Sequence, residues 1–211
     1  MDTVNSQAMY RAHRQRFVIG HSRRRTRRIN LIVPYLFALT ALLLITPLQA
    51  QDARPTESQV KAAYLYNFGK FVRWPDRNAS PDSLAICILG KDPFGAVLDS
   101  TVAGENIDGR KITVKRLSGL QEAAQCSVLF VSSSEESHLA AILPAAQRLR
   151  MLTVSDMRNF AQRGGAIGLL TEQGKIRFEV NRTAAEQSHL VLSSELLKVA
   201  IKVIEKPIPG S

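Results

Sequence analysis

Few side chains able to perform chemistry stand where they could act together in this 211-residue sequence. After residue 50 there are two cysteines, Cys87 and Cys126, and two histidines, His138 and His189. The cysteines are far apart, with no CxxC string and no histidine beside them, so the ligand spacing of a metal site is missing. His138 falls on the polar side of an amphipathic helical pattern and reads as solvated. His189 follows Ser188, but no acid is spaced to orient it as a base, and no GxSxG string holds a nucleophile. Glu172, Glu179 and Glu186 recur every seven residues yet belong to different elements, so they form no acid/base pair. GENIDGRK, from Gly104, lacks the hydroxyl residue of a phosphate loop after Lys111 and reads as a turn before a strand. The glycines of RGGAIG, from Arg163, read as backbone positions of positive φ. These observations argue against an enzyme, and no cofactor or metal is expected.

The net charge of +10 suggests nucleic acid, but its distribution does not. Residues 1–50 hold eight of the 28 basic residues and one of the 18 acids, leaving the remainder nearly balanced. A nucleic-acid-binding domain would carry its excess on the folded part. The arginines run from Arg11 to Arg28 and precede the uncharged stretch LIVPYLFALTALLLITPLQA, Leu31 to Ala50. A basic segment, an apolar core and a small residue form a secretory signal pattern, with cleavage expected after Ala50. The alternative is an uncleaved anchor, because about 20 apolar residues can span a bilayer. Either way, residues 51–211 are expected outside the cytoplasm as one domain.

The elements of that domain follow from periodicity. Glu57 to Trp74 repeats apolar residues at helical spacing and stops before Pro75. LAICIL (Leu84 to Leu89), KITVKRL, SVLFVS (Ser127 to Ser132) and LTVSD read as strands. DPFGAVLDSTV, with Asp92 and Pro93 at its start, and SGLQEAAQC read as short helices. Ser133 to Arg150 reads as one amphipathic helix with acids in its first turn. Ala166 to Thr171 and Lys175 to Asn181 form a hairpin across a turn at Glu172 to Gly174. Residues 182–189 read as a helical turn. Ser193 to Ile204 reads as a terminal helix, with Ser194 a plausible cap. Strands alternating with crossovers predict a three-layer α/β sandwich whose sheet is mostly parallel, with the C-terminal hairpin at one edge.

Cys87 lies in the first strand and Cys126 at the mouth of the third, positions that commonly neighbour each other in such sheets. In an exported protein this predicts a disulfide, the alternative being two buried thiols. The hairpin carries Arg177 and Glu179 on one face. They read either as charges guarding an edge strand or as a recognition surface, with Ile167 and Leu169 adding apolar contacts.

Several strings occur together in order: KAAYLYNFGKFVRWP, ICILGKDPFG, the Cys-SVLFVS strand, LTVSDMRNFAQRGGAIGLL, IRFEVN and LSSELLKVA. In this combination the chain resembles the YfiR family of periplasmic repressors, from about Gln59 to Ile204. The resemblance implies a regulator that binds the periplasmic domain of an inner-membrane diguanylate cyclase of the YfiN type. Release of that hold raises cyclic di-GMP and favours biofilm formation. It further implies a homodimer, and a folding disulfide to which Cys87 and Cys126 correspond. A second cysteine pair found in some members would fall near Ala161 and Gly168, where this chain has none. Ile167 and Glu179 resemble positions of the family's partner-binding surface, while Leu169 and Arg177 are added on physical grounds alone. The family's small-ligand pocket lies near HLVLSS, but Val191 and Ser193 stand where some members carry basic side chains.

Overall fold

The computed structural model describes residues 54–75 and 83–205. The basic and apolar leader, together with most of the RNASPDS segment, lies outside the described residues. Helix α1, Glu57–Phe71, opens on a capping box in which the Thr56 side chain accepts from the Gln59 N–H and the Gln59 side chain accepts from the Thr56 N–H. It stops at Phe71, three residues short of the expected end. Val72 turns extended, and β1 (Val72–Arg73) pairs antiparallel with β9 (Val191–Leu192) instead of continuing the helix.

The main sheet has eight strands, in the order β10-β8-β7-β6-β5-β2-β4-β3. Its centre is parallel: β2 (Ser83–Leu89) lies between β4 (Arg110–Leu117) and β5 (Cys126–Val131), with β6 (Leu152–Ser155) and β7 (Ile167–Glu172) beyond. β8 (Lys175–Asn181) folds back antiparallel on β7. At the opposite edge, β3 (Asn106–Ile107) forms a hairpin with β4 through Asp108 and Gly109, both at positive φ. The GENIDGRK string is thus a turn, as its sequence suggested. The α/β class and the mostly parallel sheet are borne out.

Strands β2 and β5 are buried on both sides, which explains their unbroken apolar runs. Leu84, Ile86, Ile88, Val128 and Phe130 join one core cluster with α1 and α2 (Ala96–Val102). Their alternates, including Cys87, Leu89, Leu129 and Val131, join a second cluster with α3 (Leu139–Arg148). Cys87 and Cys126 are joined in a disulfide with Cα atoms 5.8 Å apart, and both side chains are fully buried in this second cluster.

Three further elements differ from expectation. Ser133 to Arg150 divides into a 3-10 segment, Ser133–His138, and α3. Ser132 caps the former through the Ser134 N–H, and a run of serines competes with helix propagation by bonding locally. Before α2, Asp92 accepts from the Phe94 N–H in a turn of its own, and Gly95 at φ 52° takes the cap position. The terminal helix is cut short: α5 spans Ser194–Val199 with Ser193 as its cap, and Lys202–Ile204 forms β10, parallel to β8. The hairpin therefore sits one strand in from the edge. Ile201, Val203 and Ile204 belong to the β-branched types that favour strands, and β8 offers an unpaired edge to receive them.

Candidate partner-binding surface

The hairpin β7–β8 is closed by Gln173 and Gly174, both at positive φ, the signature of a two-residue turn that matches strand twist. Its register decides which side chains share a face. Ile167 pairs with Val180, Leu169 with Phe178, and Thr171 with Ile176. Between them, Gly168 pairs with Glu179, Leu170 with Arg177, and Glu172 with Lys175. The first set faces the core under α1, where the Phe178 ring meets Tyr64 and Phe68 edge-on at 5.4 and 5.2 Å. Ile167 and Leu169 are accordingly 0% and 2% exposed. Neither side chain is presented at the surface for direct contact. Arg177 is exposed and Glu179 half-buried on the other face, and the apolar residue beside them is the half-buried Leu170.

The surroundings of Glu179 are held from several directions. Its Oε2 accepts from Gln162 Nε2 at 2.6 Å. Gln162 belongs to the Met157–Gly165 turn, which Asn181 fastens by donating from Nδ2 to the Ala161 carbonyl at 2.8 Å. The Ala166 N–H donates to Thr153 Oγ1. Gly164 has φ 103°, whereas Gly165 is required because a Cβ there would strike the Phe160 ring. The positive-φ reading of this pair thus holds for Gly164 only. Beyond the carboxyl end of β6 lies a cavity of about 300 Å³, walled by Met157–Phe160, Leu170 and Glu179. Asp156 at its rim holds Lys61 Nζ at 2.6 Å, and Glu57 holds the same ammonium at 2.5 Å. Burial pulls the Lys61 pKa down, but the two carboxylates outweigh it and raise it above 10.5.

Neither histidine lines the cavity beside Glu179. His138 is exposed beside Glu135, with Nδ1 at 3.1 Å from its carboxylate. Ser193 Oγ accepts the Leu196 N–H as a helix cap. Glu186 pairs with Arg182, Glu172 lies at the hairpin tip, and Glu179 is tied to Gln162, so the three acids do not converge. Among the described residues no group of acids, cysteines and histidines could hold a metal ion, and no helix is long and apolar enough to cross a membrane. The sequence reading missed Leu170 and Gln162. Strict alternation along IGLLTE would have placed Leu170 on the face of Arg177. The Gln162 contact joins segments 17 residues apart and left no periodic signal.

Comparison with known proteins gives a family and a fold. A family model described as YfiR/HmsC-like (DUF4154) matches residues 58–201. No curated protein matches the chain. A crystal structure of a conserved domain protein from Vibrio cholerae O1 biovar El Tor is similar at 15% identity and a TM-score of 0.50, covering 71% of this chain and 60% of that one. The structure of an ABC domain in complex with L-Trp from Streptococcus pneumonia matches at 12% identity and a TM-score of 0.46, over 70% of this chain and 60% of that one. The chain thus spans about 60% of the length of either structure. At 15% identity, the likeness to the Vibrio cholerae structure is one of fold alone.

Proposed function

Since the chain belongs to the YfiR/HmsC-like family, we propose that it is a non-enzymatic periplasmic regulator. It binds the periplasmic domain of an inner-membrane diguanylate cyclase, represses it, and so lowers cyclic di-GMP and biofilm formation. The family match over residues 58–201 is the observation that carries this reading. Its supports are the secretory pattern of residues 1–50, the buried disulfide of a kind that suits an oxidising compartment, and the positioned carboxylate of Glu179. The binding surface comprises Arg177 and Glu179 with Leu170 between them, while Ile167 and Leu169 hold the strand from beneath. The active form is a homodimer.

A fixed, half-desolvated carboxylate acts as a charge and hydrogen-bond anchor for a basic group on the partner, and reversing it leaves like charges opposed. Glu179→Lys should weaken affinity for the cyclase's periplasmic domain by at least about tenfold, measured by calorimetry, with the thermal midpoint little changed. Unaltered affinity would remove Glu179 from the interface. A second reading, a periplasmic sensor that binds a small molecule, is favoured by the cavities beside the hairpin. The two coexist readily, because a repressor needs an input that releases it.

A further inference from the structure

At the hairpin tip, a groove of about 630 Å³ opens between the start of α1 and β8. Its apolar lining comes from Val60 and from Ile176, which is buried. Arg54, Lys175 and Arg177 line its rim, and none of these three makes an ion pair among the described residues. One acid, Glu57, also lines it, but its carboxylate is drawn to Lys61 at 2.5 Å. Glu172 stands opposite Lys175 in the register, and no ion pair joins the two. Three cations without ion pairs among the described residues therefore surround an apolar floor, in a volume within the range of small-molecule sites of roughly 300–1,000 Å³.

We propose that this groove binds a small organic anion: an apolar body against Val60 and Ile176, and a carboxylate, sulfonate or phosphate head among Arg54, Lys175 and Arg177. Some surface cations are paired, as Arg182 is with Glu186 and Glu205, and Arg163 with Glu136, while single ones such as Lys91 and Arg158 have no ion pair among the described residues; the groove differs in gathering three around one apolar floor. Cations left without acids cost self-repulsion that an anion relieves, and the apolar floor selects an anion with a hydrophobic body over an inorganic one. The inference deepens the sensor reading and rests on it for its purpose, but it requires nothing of the cyclase. The groove is separate from the segment around Val191 and Ser193.

The test uses protein purified after expression of the full chain, with 8-anilinonaphthalene-1-sulfonate as anionic probe and N-phenyl-1-naphthylamine as its uncharged counterpart. The expected result is saturable sulfonate binding at one site, weakened at least tenfold by Lys175→Glu and weakened by added salt, with the circular dichroism unchanged. Val203→Asp, which removes an exposed apolar residue on β10, should leave sulfonate binding as it was. Absence of saturable binding overturns the proposal, as does equal binding by Lys175→Glu, or loss of the uncharged probe in parallel with the sulfonate. If Lys175→Glu instead abolishes capture of the cyclase domain while sulfonate binding persists, the groove belongs to a protein partner and the anion site is rejected. A metabolite that raises the thermal midpoint of wild type and Lys175→Glu alike preserves the sensor reading and moves its site elsewhere.

Discussion

Arg116 shows how one side chain can fasten two elements. From β4 its Nε donates to Asp92 Oδ2 at 2.9 Å, while its terminal nitrogens donate to Asp99 and, at 2.7 Å, to the Gly95 carbonyl. The planar fork suits this many-sided grip in a way that a lysine ammonium would not. The hydrogen bond from Arg116 holds the Asp99 carboxyl below its ordinary 3.8, against a smaller opposing effect of burial. A carboxyl whose pKa falls on folding stabilises the native state above its unfolded value and loses that contribution as pH drops through the lowered one. Asp99 is half exposed, so solvent screening limits the contribution to about 1 kcal/mol or less. Asp99→Asn should therefore be slightly less stable than wild type at neutral pH, with the difference narrowing below 3.8. Urea midpoints of the two proteins at neutral and acidic pH measure this. A gap that widens in acid contradicts the assignment.

Among the elements, those that combine a strong period with a matching environment were legible in sequence. The helix at Glu57, the buried strands at Leu84 and Ser127, and the hairpin about Gly174 follow directly from pattern and turn chemistry. The C-terminal segment was not legible, because KVAIKVI has apolar residues at both helical and alternating spacings. What settled it was tertiary: the Ile201 N–H reaches the Phe178 carbonyl at 3.0 Å and completes the edge of β8. The proposed binding face was half legible. Charges on IRFEVN marked Arg177 and Glu179, but the face of β7 depends on a register that shifts every side chain when displaced by one residue. The Met157–Gly165 turn, with no period, offered only its glycines. Its closeness to β7 is now specific enough to test. A Cβ at Gly168 would lie 3.6 Å from Ala161 Cβ, within the span of a disulfide. The double variant Ala161→Cys/Gly168→Cys should oxidise to a second bridge, seen as a loss of two thiols, and raise the urea midpoint. Two free thiols persisting in the folded, oxidised protein would show that turn and strand do not meet this way.

At the scale of the molecule, stability rests on two apolar clusters separated by the sheet, and they are unequal in how they are tied. The cluster under α1 draws on helices from both ends of the described chain, including α1, Ala185 of α4 (Arg182–Gln187) and Leu196 of α5. The opposite cluster draws on a shorter stretch, Ala85 to Phe160, and contains the disulfide. That bond spans 39 residues and staples β2 to its neighbour β5 at the centre of the sheet. Removing such a link from a small exported domain typically costs about 2–5 kcal/mol, largely through freedom regained by the unfolded chain. Because both sulfurs are fully buried, a reductant reaches them only when the sheet opens. Cys87→Ala/Cys126→Ala should accordingly show a urea midpoint lowered by an amount in that range, while native wild type resists millimolar dithiothreitol until urea is added. The same double variant, at temperatures where it stays folded, should bind the cyclase's periplasmic domain as wild type does, since the proposed binding face lies on β8, three strands from β5 and four from β2. Rapid reduction of the native protein with its ellipticity intact would instead make the bond an accessible switch. That outcome would mean that the second cluster opens independently of the first.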